Sequence, residues 1–395
     1  MYTKKEKSTL IGLSLSTAFL RFGKALVILT FILYGLTLTD SYLLIGIAFG
    51  VTGLVQAVLT IPYGFLSDQY GRKIIIILGL VAFIIGSLLC AFPFGNILIL
   101  ILGRFLQGAG AIYACVLAFI GDVIPDNKQS LTLAYFSIIT GIVFSVGIIL
   151  GPSLSPEIIP YSALFIIPAV LVFIILIYMI FFVSEPRKKT KRKNKSMDFK
   201  LLRFVIGDMK LIKIYLSTFF INFTLVSILL ILVPIILKGY IPSNYSGLLL
   251  LPIFIFGMLV MVFTSKIADK GHRKYIAIIG TILVGIGVSI FYISNLYIII
   301  IGLIIFFTGM AIVDPILPSL IIKIATARAK GTASGFYDAS RYLGESVGGF
   351  VAGIILTINE SYLLAVLVIL VILGIIFLGN LNLEVKDEYN NSNIG

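Results

Sequence analysis

The sequence predicts an all-α integral membrane protein of twelve transmembrane helices, arranged as two pseudo-symmetric six-helix bundles. Three observations predict it: an apolar composition, a length that fits twelve spans, and an internal repeat. The chain has 395 residues, of which 59% are hydrophobic and 12% charged. An ordinary soluble domain is roughly half apolar and about a quarter charged. A soluble monomer of this composition would expose more apolar surface than folded monomers tolerate. Disordered, collagen-like and disulfide-rich secreted classes are excluded. One span takes ~20 apolar residues and a short loop a few more, so about twelve spans fit the length. Stretches such as 74–92 and 163–183 are apolar on every side, which is helix rather than the alternating pattern of a barrel strand.

Taken in order, the apolar runs place spans at 8–35, 42–66, 74–93, 97–121, 131–152 and 162–183, then at 211–237, 247–265, 275–294, 297–322, 332–357 and 362–381. The one long connection, 184–210, is polar and strongly basic. It divides the chain into an N-terminal bundle (1–183), a cytoplasmic linker (184–210), a C-terminal bundle (211–381) and a cytoplasmic tail (382–395). Twenty-five of the 30 lysines and arginines fall on one side of this arrangement, and Lys238 alone falls in an outer loop. The bias predicts a multi-pass protein of the cell membrane with both termini cytoplasmic. The net charge of +13 is thereby assigned to topology and to anionic lipid headgroups, not to nucleic acid. The first span follows residues 1–7 directly, so no cleavable leader is expected. Cys90 and Cys115 lie in apolar runs, so neither a disulfide framework nor a metal site is expected.

The chain also repeats itself. At an ungapped shift of 201 residues, Asp68 meets Asp269, Arg72 meets Arg273, Lys73 meets Lys274, Gly79 meets Gly280, Gly86 meets Gly287, Gly108 meets Gly309 and Gly147 meets Gly348. One register held over some 80 residues makes the second half a copy of the first in the same orientation. Parallel halves of this kind build a large class of secondary transporters.

Between spans two and three stands Gly64-Phe-Leu-Ser-Asp68-Gln-Tyr-Gly71-Arg72-Lys73, with a degraded copy, Lys266-Ile-Ala-Asp269-Lys-Gly-His-Arg273-Lys274, at the matching place in half two. Gly64 lets two helices approach closely. Asp68 can meet a helix N-terminus, Gly71 permits the tight turn, and Arg72 and Lys73 hold the loop inside. This loop resembles the signature of the major facilitator superfamily, which implies a charge cluster that latches one conformation and releases it in another. The resemblance pairs Arg72 with Asp122, at the end of span four. The equivalent position in half two is Lys323, so the second latch is expected to differ. Two further motifs are similar to the family's. Gly103-Arg104-Phe-Leu-Gln107-Gly108 resembles its arginine motif, and Gly147-Ile-Ile-Leu-Gly151-Pro152 resembles its antiporter motif. The sequences around Arg21 and through 46–64 resemble the drug/proton antiporter branch.

An arginine inside a span costs ~2.5–3.5 kcal/mol on insertion scales, so Arg104 should face a cavity or an acid, or else snorkel to the outer interface. Gly147 and Gly151 offer a flat face for helix packing, and Pro152 bends the helix. The proton-coupling candidates are Glu345, then Asp314, with Asp338 and Arg341. Asp338, Arg341 and Glu345 share one helix face, and Arg341 is spaced to pair with either acid. Asp314 lies beside Pro315 and Pro318, where the helix should be broken. Substrate-cavity candidates are Arg21, Lys24, Arg104, Gln107, Tyr113 and Asn222. Span one carries Arg21 and Lys24 and no central acid, so the first half is cationic inside and the second anionic, which invites pairing across the central cleft. His272, the lone histidine, is expected in an inner loop, which removes histidine from any proton relay within the membrane.

The expected function is alternating-access transport, foremost proton-coupled export of small amphipathic compounds by a monomer that needs no cofactor and is not an enzyme. An organic-anion exchanger or importer on the same fold is the first alternative. A polytopic membrane enzyme is a distant one, because the acids are scattered rather than clustered.

Overall fold

The computed structural model describes residues 3–381 apart from 125, 155–157, 186–202, 204, 239, 243–244, 294, 326–328 and 358–359. Twelve helical spans run in order. They are α1 (Lys4–Ile28, continued by Phe31–Leu36), α2 (Tyr42–Tyr70), α3 (Arg72–Ala91), α4 (Ile97–Gly108, resumed as Tyr113–Val123), α5 (Asp126–Leu154) and α6 (Ala163–Phe182). The second half has α7 (Met209–Ser227, a wide π turn Ile228–Leu232, then Val233–Lys238), α8 (Ser246–Ile267), α9 (Arg273–Ile290), α10 (Leu296–Ile324), α11 (Lys330–Leu356) and α12 (Glu360–Gly379). Ten of these are long and apolar enough to cross a membrane among the described residues. In α5 the apolar part is shorter, Ile138–Leu154, and α11 carries Lys330, Asp338, Arg341 and Glu345. The basic linker at 186–202 and the tail from 382 lie outside the described residues.

Side-chain oxygens start several helices where the sequence supplies them. Ser41, Asn96, Asp208 and Asn295 accept from the first backbone amides of α2, α4, α7 and α10, which satisfies donors the helix itself leaves free. Two expectations need correction. The helix at Asp314 is not broken, since Pro315 and Pro318 sit inside an uninterrupted α10. A proline in a transmembrane helix is tolerated where neighbours re-satisfy the freed carbonyls. Span four, expected as one helix, is interrupted at 109–112, where the chain turns between its two segments.

Glycines set the packing. A Cβ at Gly46 would lie 2.7 Å from the Gly349 carbonyl oxygen, one at Gly50 would lie 2.6 Å from that of Ser346, and one at Gly53 2.8 Å from that of Tyr342. The backbones of α2 and α11, from opposite halves, therefore touch directly. Gly247, at the start of α8, lies against Ile149 near the end of α5. All these contacts sit at the end remote from the basic loops. One hydrophobic core there joins residues of both halves, from Phe31 and Phe49 to Leu229 and Phe306. Near the basic loops the core divides in two. Leu13, Leu80, Phe119 and Met179 belong to one cluster, and Ile214, Ile276, Leu317 and Tyr337 to another. The halves are thus closed together at the far end and separate at the basic end. Gly64, expected to bring two helices together, has nothing within 4 Å of a Cβ built on it, because α2 and α11 have parted at that level.

Candidate functional site

Between the halves, charged and aromatic side chains of α1 and α4 on one side stand near those of α10 and α11 on the other. On α11, Asp338, Arg341 and Glu345 fall one turn apart and Tyr342 beside them. On α1, Arg21 and Lys24 are likewise one turn apart. Lys24 reaches across and donates to Glu345 Oε2, forming an ion pair between the two halves. Glu345 is 9% exposed. Arg341 makes neither pairing its spacing suggested. Its guanidinium stacks 5.2 Å from the centre of the Tyr342 ring, and its Nε is buried with no hydrogen-bond partner. The Lys24 ammonium lies 5.8 Å from the same ring, so Tyr342 sits against both cations.

Across the cleft, the Arg21 guanidinium lies 5.0 Å over the Tyr113 ring. Asp338 is half-buried and lies within electrostatic reach of both Arg21 and Arg341. Asp314, on α10, is exposed and within electrostatic reach of Tyr337 and Arg341. Neither Asp314 nor Asp338 has an ion-pair partner within 4 Å among the described residues. Among the described residues the cleft therefore holds one closed pair and four charges that close on no ion-pair partner, two of each sign.

Of the residues expected in the cavity, Arg104, Gln107 and Asn222 are buried and make their hydrogen bonds within their own half. Arg104 is 2% exposed. It neither snorkels nor meets an acid. Its Nη1 donates to Gln107 Oε1 at 2.7 Å, and Gln107 in turn donates to Ser87 Oγ at 2.9 Å. Phe31 and Phe49 face the guanidinium at 5.0 and 5.3 Å, and Nε and Nη2 have no hydrogen-bond partner. Arg104 and Gln107 thus belong to the core that closes the far end. Asn222 is buried on α7 and its amide donates to the Thr218 carbonyl of its own helix at 2.8 Å.

The loop between α2 and α3 forms a second constellation. Arg72 Nε donates to Asp122 Oδ2 at 3.1 Å, the contact expected from the motif, and Nη1 donates to Ser67 Oγ at 2.6 Å. Gly71 makes the turn at φ 109°, a conformation that favours glycine. Sequence reasoning missed Glu185, just past α6. Its two carboxylate oxygens accept from the backbone amides of Arg72 and Lys73 at 2.7 and 2.8 Å, so it caps the positive end of α3. Lys73 Nζ donates to the Ile180 carbonyl at 2.8 Å. In half two, Gly271 repeats the turn at φ 108°, and Arg273 Nη1 donates to the Ser319 carbonyl at 3.5 Å. Lys323 stands exposed where the first half has Asp122. The side chains of Asp68 and Asp269 lie outside what the structure describes. Gly147 and Gly151 pack α5 on α1, where a Cβ would meet Ala25 at 2.8 Å and the Leu26 carbonyl oxygen at 1.9 Å. Pro152 is buried beside them.

Comparison with known proteins gives the same architecture. The family model described as Major Facilitator Superfamily matches residues 13–349. The chain is 30% identical over 355 residues to the inner membrane transport protein YajR of Escherichia coli, covering 89% of this chain and 78% of that protein. It is 29% identical over 177 residues to the multidrug resistance protein MdtL of Citrobacter koseri, covering 43% and 45%. Among solved structures, a D-xylose-proton symporter superposes with a TM-score of 0.75 at 14% identity, covering 94% of this chain and 97% of that one.

Proposed function

The chain belongs to the Major Facilitator Superfamily, and from that premise we propose a proton-driven exporter of small amphipathic compounds that works by alternating access. The observation that carries the reading is the ion pair from Lys24 to Glu345, between the two halves, in which Glu345 is buried and Lys24 half-buried. With the basic end read as cytoplasmic from the charge bias of the loops, the arrangement corresponds to an inward-open state.

The pair supplies a coupling rule. With Glu345 ionised and no substrate bound, Lys24 and Glu345 hold the far end shut, since parting them would strand a buried carboxylate and a half-buried ammonium. Substrate entering from the cytoplasm competes for the pair and permits the switch. In the outward-open state Glu345 no longer faces Lys24 and takes a proton. A neutral acid is cheaper to desolvate than a carboxylate, so the protonated carrier can close again. As Lys24 returns, its charge favours ionised Glu345 and expels the proton inward. Each cycle exports substrate and imports a proton, and the empty, deprotonated carrier stays closed rather than leaking. Asp314 is the second candidate for the proton, and Arg72, Asp122 and Glu185 act on the opposite, basic end.

The test is proton movement in acidified inside-out vesicles, read with a pH-sensitive dye as cationic, neutral and anionic amphipathic compounds are added. Alkalinisation that persists in Asp314→Asn at saturating compound and disappears in Glu345→Gln supports the reading. Labelled organic anions exchanging with no proton signal for any compound would replace it with the anion exchanger.

A further inference from the structure

We infer that the substrate this cleft takes is a zwitterion: a molecule with an aromatic or amphipathic body that carries an acidic and a basic group together. The inference rests on the reading that substrate opens the Lys24–Glu345 pair, and two independent observations lead to it. The first is that pair. A substrate that opens it separates one half-buried cation from one buried anion. A purely cationic ligand would satisfy Glu345 and leave Lys24 unpaired within electrostatic reach of Arg104 and Arg341. A purely anionic ligand would satisfy Lys24 and leave Glu345 bare. Removing one partner of a buried pair is the costly case, so the ligand must bring both charges.

The second observation is the composition of the cleft wall. Arg21 and Arg341 each lie over a tyrosine ring, at 5.0 and 5.2 Å, with no carboxylate closing on them among the described residues. Asp314 and Asp338 stand beside them without an ion-pair partner. A site for a simple cation or a simple anion would hold an excess of one sign. Here the charges outside the closed pair balance, two against two, and the two arginines each lie against a tyrosine ring. Guanidinium forks suit a carboxylate, Asp314 suits an ammonium, and the Tyr113, Tyr337 and Tyr342 rings suit an aromatic body.

The test uses four probes with one aromatic core: 2-naphthylalanine, its methyl ester, its N-acetyl derivative and the N-acetyl methyl ester. These are a zwitterion, a cation, an anion and a neutral molecule. The full chain, purified in micelles, contains no tryptophan, so naphthalene emission reports binding without indole background. Naphthylalanine should bind about 10-fold or more tighter than the other three, the worth of one charge-assisted hydrogen bond. Arg341→Gln should weaken naphthylalanine and the N-acetyl anion by a similar factor and leave the ester unchanged or tighter. Arg21→Gln should do the same, and it serves should the first variant not fold. Asp314→Asn should weaken naphthylalanine and the ester and spare the anion. The inference is overturned if the ester or the neutral probe binds as tightly as the zwitterion. It is also overturned if both arginine variants bind naphthylalanine like the parent. The same probes in acidified vesicles keep the two ideas apart. Preferred zwitterion binding with no proton movement would overturn the coupling reading and uphold this one. Proton movement driven best by the ester would do the reverse.

Discussion

The two ends of this molecule are built from the same helices and behave differently. At the far end, α2 and α11 touch backbone to backbone and one core runs through both halves. At the basic end, the same two helices have separated and each half keeps its own core. The register shows that the open end is the closed end's counterpart. Gly46 faces Gly353, Gly50 faces Gly349 and Gly53 faces Ser346. Continued in the same antiparallel register, Gly64 would face Gly335, and both have nothing within 4 Å of a Cβ. Glycine without a close neighbour is hard to explain by this conformation alone. On the proposed alternating-access reading, the two meet in a second conformation in which the basic end is the closed one.

Breaking the far-end closure should give the largest effect. Lys24→Met leaves Glu345 buried and unpaired, a loss of about 3–5 kcal/mol. A cysteine placed at buried Ser346 should then react with an impermeant maleimide from the far side at least ~100-fold faster, and the double variant Lys24→Met/Glu345→Gln should lie nearer the parent than either single change. An unchanged labelling rate would mean the pair closes nothing. Gly50→Leu attacks the same closure sterically. Backbone at 2.6 Å cannot move aside as a side chain could, so substrate uptake into inside-out vesicles should fall to background. Gly64→Leu is the matching change at the open end. The structure has room for it, so the thermal midpoint should stay within about 2 °C of the parent, while transport falls roughly 10-fold or more because the other closure is blocked. A normal transport rate in Gly64→Leu would break the comparison. The smallest effect belongs to Asp122→Asn. Its side chain is 45% exposed, and such pairs are worth about 0–1 kcal/mol, so the labelling rate should change less than about 5-fold.

The fold could be read from the sequence because its causes are local and repeated: apolar runs of spanning length, a basic bias, and a 201-residue register. The Arg72–Asp122 contact was legible for a similar reason, because a motif with fixed spacing carries it. The cleft was legible only in outline. Counting cations in one half and acids in the other anticipated a bridge between the halves, but not its partners. Arg341 was the near choice for Glu345 on helical spacing, and Lys24, distant in sequence, takes it instead. The surroundings of Arg104, between Phe31 and Phe49, were not legible because spacing cannot tell which side of a helix meets a cavity and which the core. Glu185 gave no signal, since a lone acid before a basic run is ordinary, and only tertiary packing brings it to the start of α3.

The joints in the first helix of each half have a further consequence. α1 pauses between Ile28 and Phe31, and α7 widens into a π turn over Ile228–Leu232. Shifted by 201 residues, these fall at the same place in the repeat. Beyond each joint stands a helical tip of six residues, Phe31–Leu36 and Val233–Lys238. Such joints are where helices hinge. On the proposed alternating-access cycle, two short tips that swing while the bundles stay as they are would make opening the mouth and reorienting the body separate events, with a sealed, loaded carrier as the intermediate between them.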